Sequence, residues 1–309
     1  MEKIILDVDP GHDDAIAILL AAKNPNIELV AITVVSGNQT LEKTTKNALD
    51  ICSAVGINNV PVAAGMSVPM IRKKQVVANN IHGESGLDGP HFGKQTVKLD
   101  SRHAVDLIIE ILLNSNNDIT LVPTGPLSNI AMAMKKEPLI VPKIKQIVLM
   151  GGSYQLGNVT PSAEFNIHSD AEAAQVVFSC GRPIVMMGLD LTRQALATIE
   201  VVNRIKTLNN TASNLFVDLM EYFRMTQKKV FGFDSPPVHD PTTVAYLIDP
   251  TIIQTKPMNV EIETSSELTY GKTVCDYYGN TGKEPNALVA TKLDFDKFWN
   301  LVYDTLKLY

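Results

Sequence analysis

The sequence predicts an open α/β fold, a mostly parallel central sheet with helices on both faces and Rossmann-like in kind. Three observations predict it. Short apolar runs rich in β-branched residues alternate with longer stretches of helical periodicity. The apolar runs are near-continuous, as strands covered on both faces are. Each run also ends in Gly, Pro, Asp, Asn, Ser or Thr, so polar groups gather at the carboxyl edge of the sheet, where open α/β sheets bind ligands.

Taken in order, residues 3–8 read as the first strand and 13–23 as the helix that follows. Residues 29–35 are the second strand, followed by a helix over 41–55. A helix over 101–113 leads to a strand at 119–122, a helix over 127–135 to a strand at 144–150, and a helix over 170–179 to a strand at 183–187. From about 201 to 246 the pattern turns helical, and 258–262 is a further strand. The stretch 66–99 carries Gly, Pro and His with little periodicity; a loop that long in a compact domain is functional or mobile. There is no internal repeat, low-complexity segment or linker-like shift, so the 309 residues read as a single domain.

Composition narrows the partners. The chain is 45% hydrophobic and 19% charged with a net charge of −6, which disfavours a nucleic-acid surface. Its densest basic cluster, Arg72-Lys73-Lys74, is short and reads as a solvated loop. Cys52, Cys180 and Cys275 are far apart, without metal-type spacing, and read as reduced thiols. A strand begins within three residues of the N-terminus, leaving no signal peptide, and no stretch is apolar enough to span a bilayer. A cytoplasmic protein is expected.

The densest chemistry lies in Asp7-Val8-Asp9-Pro10-Gly11-His12-Asp13-Asp14-Ala15. A helix N-terminus explains one or two of these acids, because carboxylates cap helices and complement the macrodipole. It does not explain Asp7 and Asp9, which arrive from the strand side. Oxygen-rich clusters of this density hold hard cations such as calcium or magnesium. No HExxH or CxxC pattern points to zinc. His239-Asp240, before a helical run, adds an imidazole and a carboxylate, although the dipeptide alone reads equally as a turn. Glu164-Phe165-Asn166, with Asn158 before it, suits either a helix cap or a grip on sugar hydroxyls. His82, between glycines of the long loop, suits a lid or a plain surface loop. There is no GxGxxG after a strand, no P-loop and no GxSxG frame.

Together these residues closely resemble the nucleoside hydrolase family, the inosine–uridine-type N-ribohydrolases. "DVDPGHDDA" is similar to that family's N-terminal signature, which is highly specific. The likeness continues through "SGNQT", "IHGESGLDGP", "LVPTGPLSNIAMA", "IVLMGGSY", "PSAEFNI", "GLDLT" and "PVHDP", covering most of the chain in the family's order and spacing. The bacterial pyrimidine-preferring branch looks nearest, partly through His82 and His239.

The resemblance implies calcium-dependent hydrolysis of the N-glycosidic bond of ribonucleosides, with uridine and cytidine favoured and inosine accepted. It implies one calcium ion per subunit, held by Asp9, Asp14, Asp240 and the backbone carbonyl of Thr124. Asp9 also takes the proton of the water that attacks the anomeric carbon. Asp13, Asn38, Asn158, Glu164 and Asn166 bind the ribose, and Met150 and Phe165 line its pocket. His82 and His239 lie on the base side, as candidates for the group that protonates the leaving base. The resemblance makes 66–99 an active-site loop and 201–246 a helical active-site segment, and it implies a homo-oligomer, a tetramer in preference to a dimer. The chemistry is coherent: breaking the bond builds an oxocarbenium-like sugar, which surrounding carboxylates and amide oxygens stabilise.

Base preference is read from one helical stripe. Gln227 is available to a pyrimidine edge, while Phe223 and Phe231 stand where the pyrimidine enzymes carry polar groups, and both read equally as core. Two other functions compete. Asp7-Val8-Asp9 after a first strand resembles the magnesium-dependent haloacid-dehalogenase phosphatases, but leaves Asn38, Glu164 and His239-Asp240 unexplained. A non-catalytic nucleoside binder would need the ribose-gripping residues without Asp9 as a base.

Overall fold

The structure is a computed structural model that describes residues 1–73 and 75–309; Lys74, the last member of the basic cluster, lies outside the described residues. Among the described residues ten strands occur in chain order: β1 (Glu2–Val8), β2 (Ile27–Val34), β3 (Val62–Ala64), β4 (Ile119–Pro123), β5 (Ile144–Met150), β6 (Ile184–Met187), β7 (Ile253–Met258), β8 (Val260–Ile262), β9 (Thr273–Cys275) and β10 (Ala287–Leu293). Eight of them form one sheet in the order β3-β2-β1-β4-β5-β6-β10-β7. All neighbours in it are parallel except β10 and β7, which run antiparallel at one edge. Strands β8 and β9 make a separate antiparallel pair.

The alternation of side chains along β1 shows why the strands are apolar throughout. Ile4, Leu6 and Val8 enter the core on one face, and Ile5 enters the core on the other. The helix His12–Lys23 that follows is buried almost all round, from His12 to Ala21, because it packs on the sheet beneath other helices. This central position carries Asp13 and Asp14 into the interior with it.

The chain leaves β1 toward β2 and β3 on one side, and later adds β4, β5 and β6 on the other. The order therefore reverses between β1 and β4, and ligands of such sheets bind in the crevice beyond that reversal. Here the end of β1 meets the end of β4, with Asp7 in register with Pro123 and the Thr124 amide donating to the Asp7 carbonyl at 2.8 Å.

Three expectations need correction. The strand read at 258–262 is the junction of β7 and β8, broken at Asn259. The helical region after 201 is three helices, Ile199–Lys206, Thr211–Phe231 and Pro241–Ile248. Arg72 is not merely solvated: its guanidinium donates to the His168 carbonyl at 2.9 Å and sits 4.2 Å from the centre of the Tyr270 ring. Within 66–99 the described residues form one short helix, Asn79–His82, which carries His82 into the interior. Among the described residues, no helix is long and apolar enough to cross a membrane.

Candidate active site

Beyond the β1–β4 reversal lies a cavity of about 250 Å³. That is near the small end for ligand pockets and suits a single small molecule rather than a polymer. Its floor is acidic and its outer walls are largely apolar.

The floor is built by strand ends. Asp9 follows β1, and its Oδ2 accepts from the Asn38 amide at 2.7 Å. Its Oδ1 is buried without a partner. Gly37 makes this approach feasible, because a Cβ there would lie 2.0 Å from Asp9 Oδ2. Asp14 accepts from the Gly11 amide at 2.9 Å and from Thr124 Oγ1 at 2.8 Å. Asp13 accepts from the His239 amide at 2.9 Å, which fixes the turn bearing Asp240 over the start of the helix His12–Lys23.

Carboxylate oxygens of Asp13, Asp14 and Asp240 lie within 4.8 Å of one another, all buried. The ligands that the resemblance implies include Asp9, which lies beside this trio, close enough to feel the charge of Asp14 and Asp13. Burial raises Asp9 and Asp240 well above the ordinary carboxylate range, with neighbouring carboxylates adding to the effect. Burial likewise raises Asp13, and takes Asp14 to about 6. None of these acids takes part in an ion pair with Lys or Arg among the described residues. Four buried acids without a countercharge, one with an orphaned oxygen, are a fit for a hard divalent cation. The Thr124 carbonyl is at hand as a neutral oxygen, with one lone pair already taken by Asn166 Nδ2 at 2.7 Å.

Three amides border this floor, each tied at one end. Asn38 Nδ2 donates to the Asp9 carbonyl at 3.1 Å, and Asn166 Nδ2 to the Thr124 carbonyl, leaving each Oδ1 for a ligand. Asn158 Oδ1 accepts from the Phe165 amide at 2.9 Å, which leaves its Nδ2. Glu164 lines the cavity while capping the helix Phe165–Ser169: its oxygens accept from the amides of Asn166, Gly152 and Ile167 at 2.8, 2.9 and 3.1 Å. The helix it caps is this short one, whereas the helix Ala171–Phe178 is capped by Asp170 itself. Burial raises the Glu164 carboxyl to about 7. Met150 and Phe165 also line the cavity.

The outer wall carries His82, His239, Gln227, Phe223 and Phe231. Gln227 is buried, and its Oε1 has no partner. Phe223 is both core and wall, whereas Phe231 is 40% exposed and is wall alone. Burial lowers both histidines, His239 to about 3 and His82 well below its usual value, so each is a neutral ring at physiological pH. Asp13, Asn38, His82, Thr124, Met150, Asn158, Glu164, Phe165, Asn166, Gln227, His239 and Asp240 line this cavity, while Asp7 does not. Sequence reasoning missed Arg193, which lines the wall and is anchored to the Gly157 carbonyl at 2.8 Å, and the stretch Val76–Ala78 of the long loop. It also missed His12 and Thr192, whose side chains contact the two wall histidines.

Comparison with known proteins agrees with this geometry. The family model for inosine-uridine preferring nucleoside hydrolase matches residues 4–300. The chain is 54% identical over 307 residues to the pyrimidine-specific ribonucleoside hydrolase RihB of Escherichia coli, across 99% of this chain and 97% of that protein. Among solved structures, the purine-preferring ribonucleoside hydrolase from Gardnerella vaginalis superposes with a TM-score of 0.92 at 33% identity over the full length of both chains. The plant nucleoside hydrolase PpNRh1 does so with a TM-score of 0.90 at 28% identity, covering 99% of each. These matches set aside the phosphatase reading. With its acidic floor beyond β1 and β4 and a family match over nearly the whole chain, this protein belongs to the nucleoside hydrolases.

Proposed function

We propose that the chain hydrolyses the N-glycosidic bond of pyrimidine ribonucleosides, uridine and cytidine first, to ribose and free base with the help of calcium. One observation carries the reading. A buried, uncompensated group of carboxylates forms one end of a nucleoside-sized cavity, and neutral histidines with an unpartnered amide form the other.

Asp9, Asp14, Asp240 and the Thr124 carbonyl are the residues that would hold the ion, with Asp13 beside them. Calcium is favoured because the donors are all oxygen and number more than a compact magnesium site uses. When bound, the ion would acidify a water and fix the ribose diol. Asp9, whose Oδ1 has no other partner among the described residues, is the base for the water that attacks C1′. Asp13, Asn38, Asn158, Glu164 and Asn166 grip the sugar and stabilise the positive charge that develops on it. The C1′–N bond breaks with its electron pair on the base, so a donor beside the base lowers the barrier; His239 and His82 are placed for that role. The described part of 66–99 is an active-site loop, with Val76–Ala78 and Asn80–His82 lining the cavity, and the helices within 201–246 shape the base side.

Pyrimidine preference is supported by the 54% identity to a pyrimidine-specific relative and by Gln227, whose free oxygen can accept from a pyrimidine edge. The test is a kcat/KM panel over uridine, cytidine, inosine, adenosine and their 2′-deoxy forms. Preference for uridine and cytidine with strong rejection of the deoxy sugars is expected; indifference to the missing hydroxyl overturns the diol model. A pure binder would retain affinity and release no base at all.

A further inference from the structure

Two buried residues outside the roles assigned above touch the wall histidines. Thr192 Oγ1 lies 2.7 Å from His239 Nδ1. His12 Nδ1 lies 3.0 Å from His82 Nδ1, and His12 Nε2 lies 2.8 Å from the backbone carbonyl of Asp88. We propose that Thr192 is a positioning residue that locks His239 into the tautomer that offers the pocket an Nε2–H. The proposal rests on the hydrolase reading and gives one of its two histidines the donor's role.

Thr192 decides the first ring. Its side chain is fully buried, and His239 Nδ1 is the hydroxyl's hydrogen-bond partner among the described residues. A ring donating to the hydroxyl would leave the hydroxyl proton buried without an acceptor. The hydroxyl therefore donates, His239 Nδ1 accepts, and the neutral ring carries its proton on Nε2.

His82 is held differently: its Nδ1 accepts from the His12 amide at 3.3 Å and lies 3.0 Å from His12 Nδ1, and the two rings stack with centroids 5.2 Å apart.

Both rings line the cavity, and no hydrogen bond from the described residues occupies the Nε2 of either. His239 then donates a hydrogen bond to the base as it gains the electron pair of the broken bond, acting as a neutral imidazole.

Long-range ¹H–¹⁵N correlation spectra of the calcium-loaded enzyme read each tautomer directly. The expected result is an Nε2–H ring for His239; an Nδ1–H ring there overturns the proposal whatever the variants do. Thr192→Val should release His239 from its tautomer and Thr192→Ser should hold it. With uridine, Thr192→Val is expected to lose at least about tenfold in kcat/KM, while Thr192→Ser stays within about threefold of the parent. With p-nitrophenyl riboside, whose leaving group needs no donor, the Val variant should lose far less. Equal losses on both substrates overturn the role given to Thr192. A parent enzyme that releases no base from uridine refutes the hydrolase reading instead, and leaves the spectra to judge the tautomers alone.

Discussion

Asp9 is held by one oxygen and free at the other: Oδ2 accepts the Asn38 amide at 2.7 Å, and Oδ1 is buried without a partner. The bond fixes the carboxylate's direction and leaves a single lone-pair face for a ligand. Asp9→Asn keeps the shape and an acceptor for Asn38 but removes the base. The variant is expected to lose about 10²–10⁴-fold in kcat on uridine while binding ribose-like inhibitors with little change. Its calcium-free form should melt no lower than the parent, since burial already disfavours the charge it loses. A variant that keeps turnover refutes Asp9 as the base.

The acidic floor predicts an unusual dependence of stability on pH. Burial raises Asp14 to about 6 and Glu164 to about 7 in the folded chain, above their ordinary values. A raised carboxyl pKa means that the folded state binds the proton more tightly than the unfolded one. Stability from these groups is therefore fully present below about pH 4 and is lost as pH rises through about 6 to 7. The calcium-free protein should melt lower at pH 8 than at pH 5.5, and calcium, which needs the ligands deprotonated, should restore more of Tm at pH 8. Thermal unfolding with chelator and with calcium at the two pH values checks this. A calcium increment that is equal at both, or larger at pH 5.5, contradicts it.

Gln227 offers a direct handle on base preference. Its buried Oε1 faces no donor among the described residues, so a substrate N–H is the natural partner. Gln227→Leu should lower kcat/KM for uridine by about 3–10-fold, the worth of one hydrogen bond, and leave inosine nearly unchanged. Steady-state kinetics on the two nucleosides decide it. A loss shared equally by both would make Gln227 a packing residue.

How far the sequence reveals this site depends on how its residues are spaced. Asp9, Asp13 and Asp14 are legible because one strand and one helix place them within six positions. Asn38, Thr124, Glu164 and Asp240 are dispersed through the chain, and only the family likeness drew them together. His12 and Thr192 stayed hidden because their partners stand 70 and 47 residues away, and nothing local marks a contact made by folding. The same distinction holds for the fold. Strands β1, β4 and β5 are buried on both faces and read as continuous apolar runs. Strand β7 was missed because it lies at the sheet edge and contains Lys256 and Pro257, residues an edge tolerates and a central strand does not. Strand β10 alternates between buried and exposed positions, and β3 is only three residues long.

Asp7 separates structure from chemistry within the same motif. It is fully buried, and its Oδ1 accepts from Thr33 Oγ1 at 2.6 Å and from Asn129 Nδ2 at 2.8 Å. Asn129 in turn donates to the Val34 carbonyl at 3.1 Å, so one acceptor ties β1 to β2 and to the helix Ser128–Lys136. Asp7 does not line the cavity. Asp7→Ala leaves two buried donors unsatisfied and is expected to cost about 2–4 kcal/mol of stability, several degrees in Tm. Asp7→Asn keeps the Oδ1 acceptor and should cost much less, particularly because burial already lifts the Asp7 carboxyl to about 7. Both folded variants should retain kcat on uridine within about threefold, since no reacting group has changed. A large kcat loss in Asp7→Asn at unchanged Tm would place Asp7 in the chemistry after all.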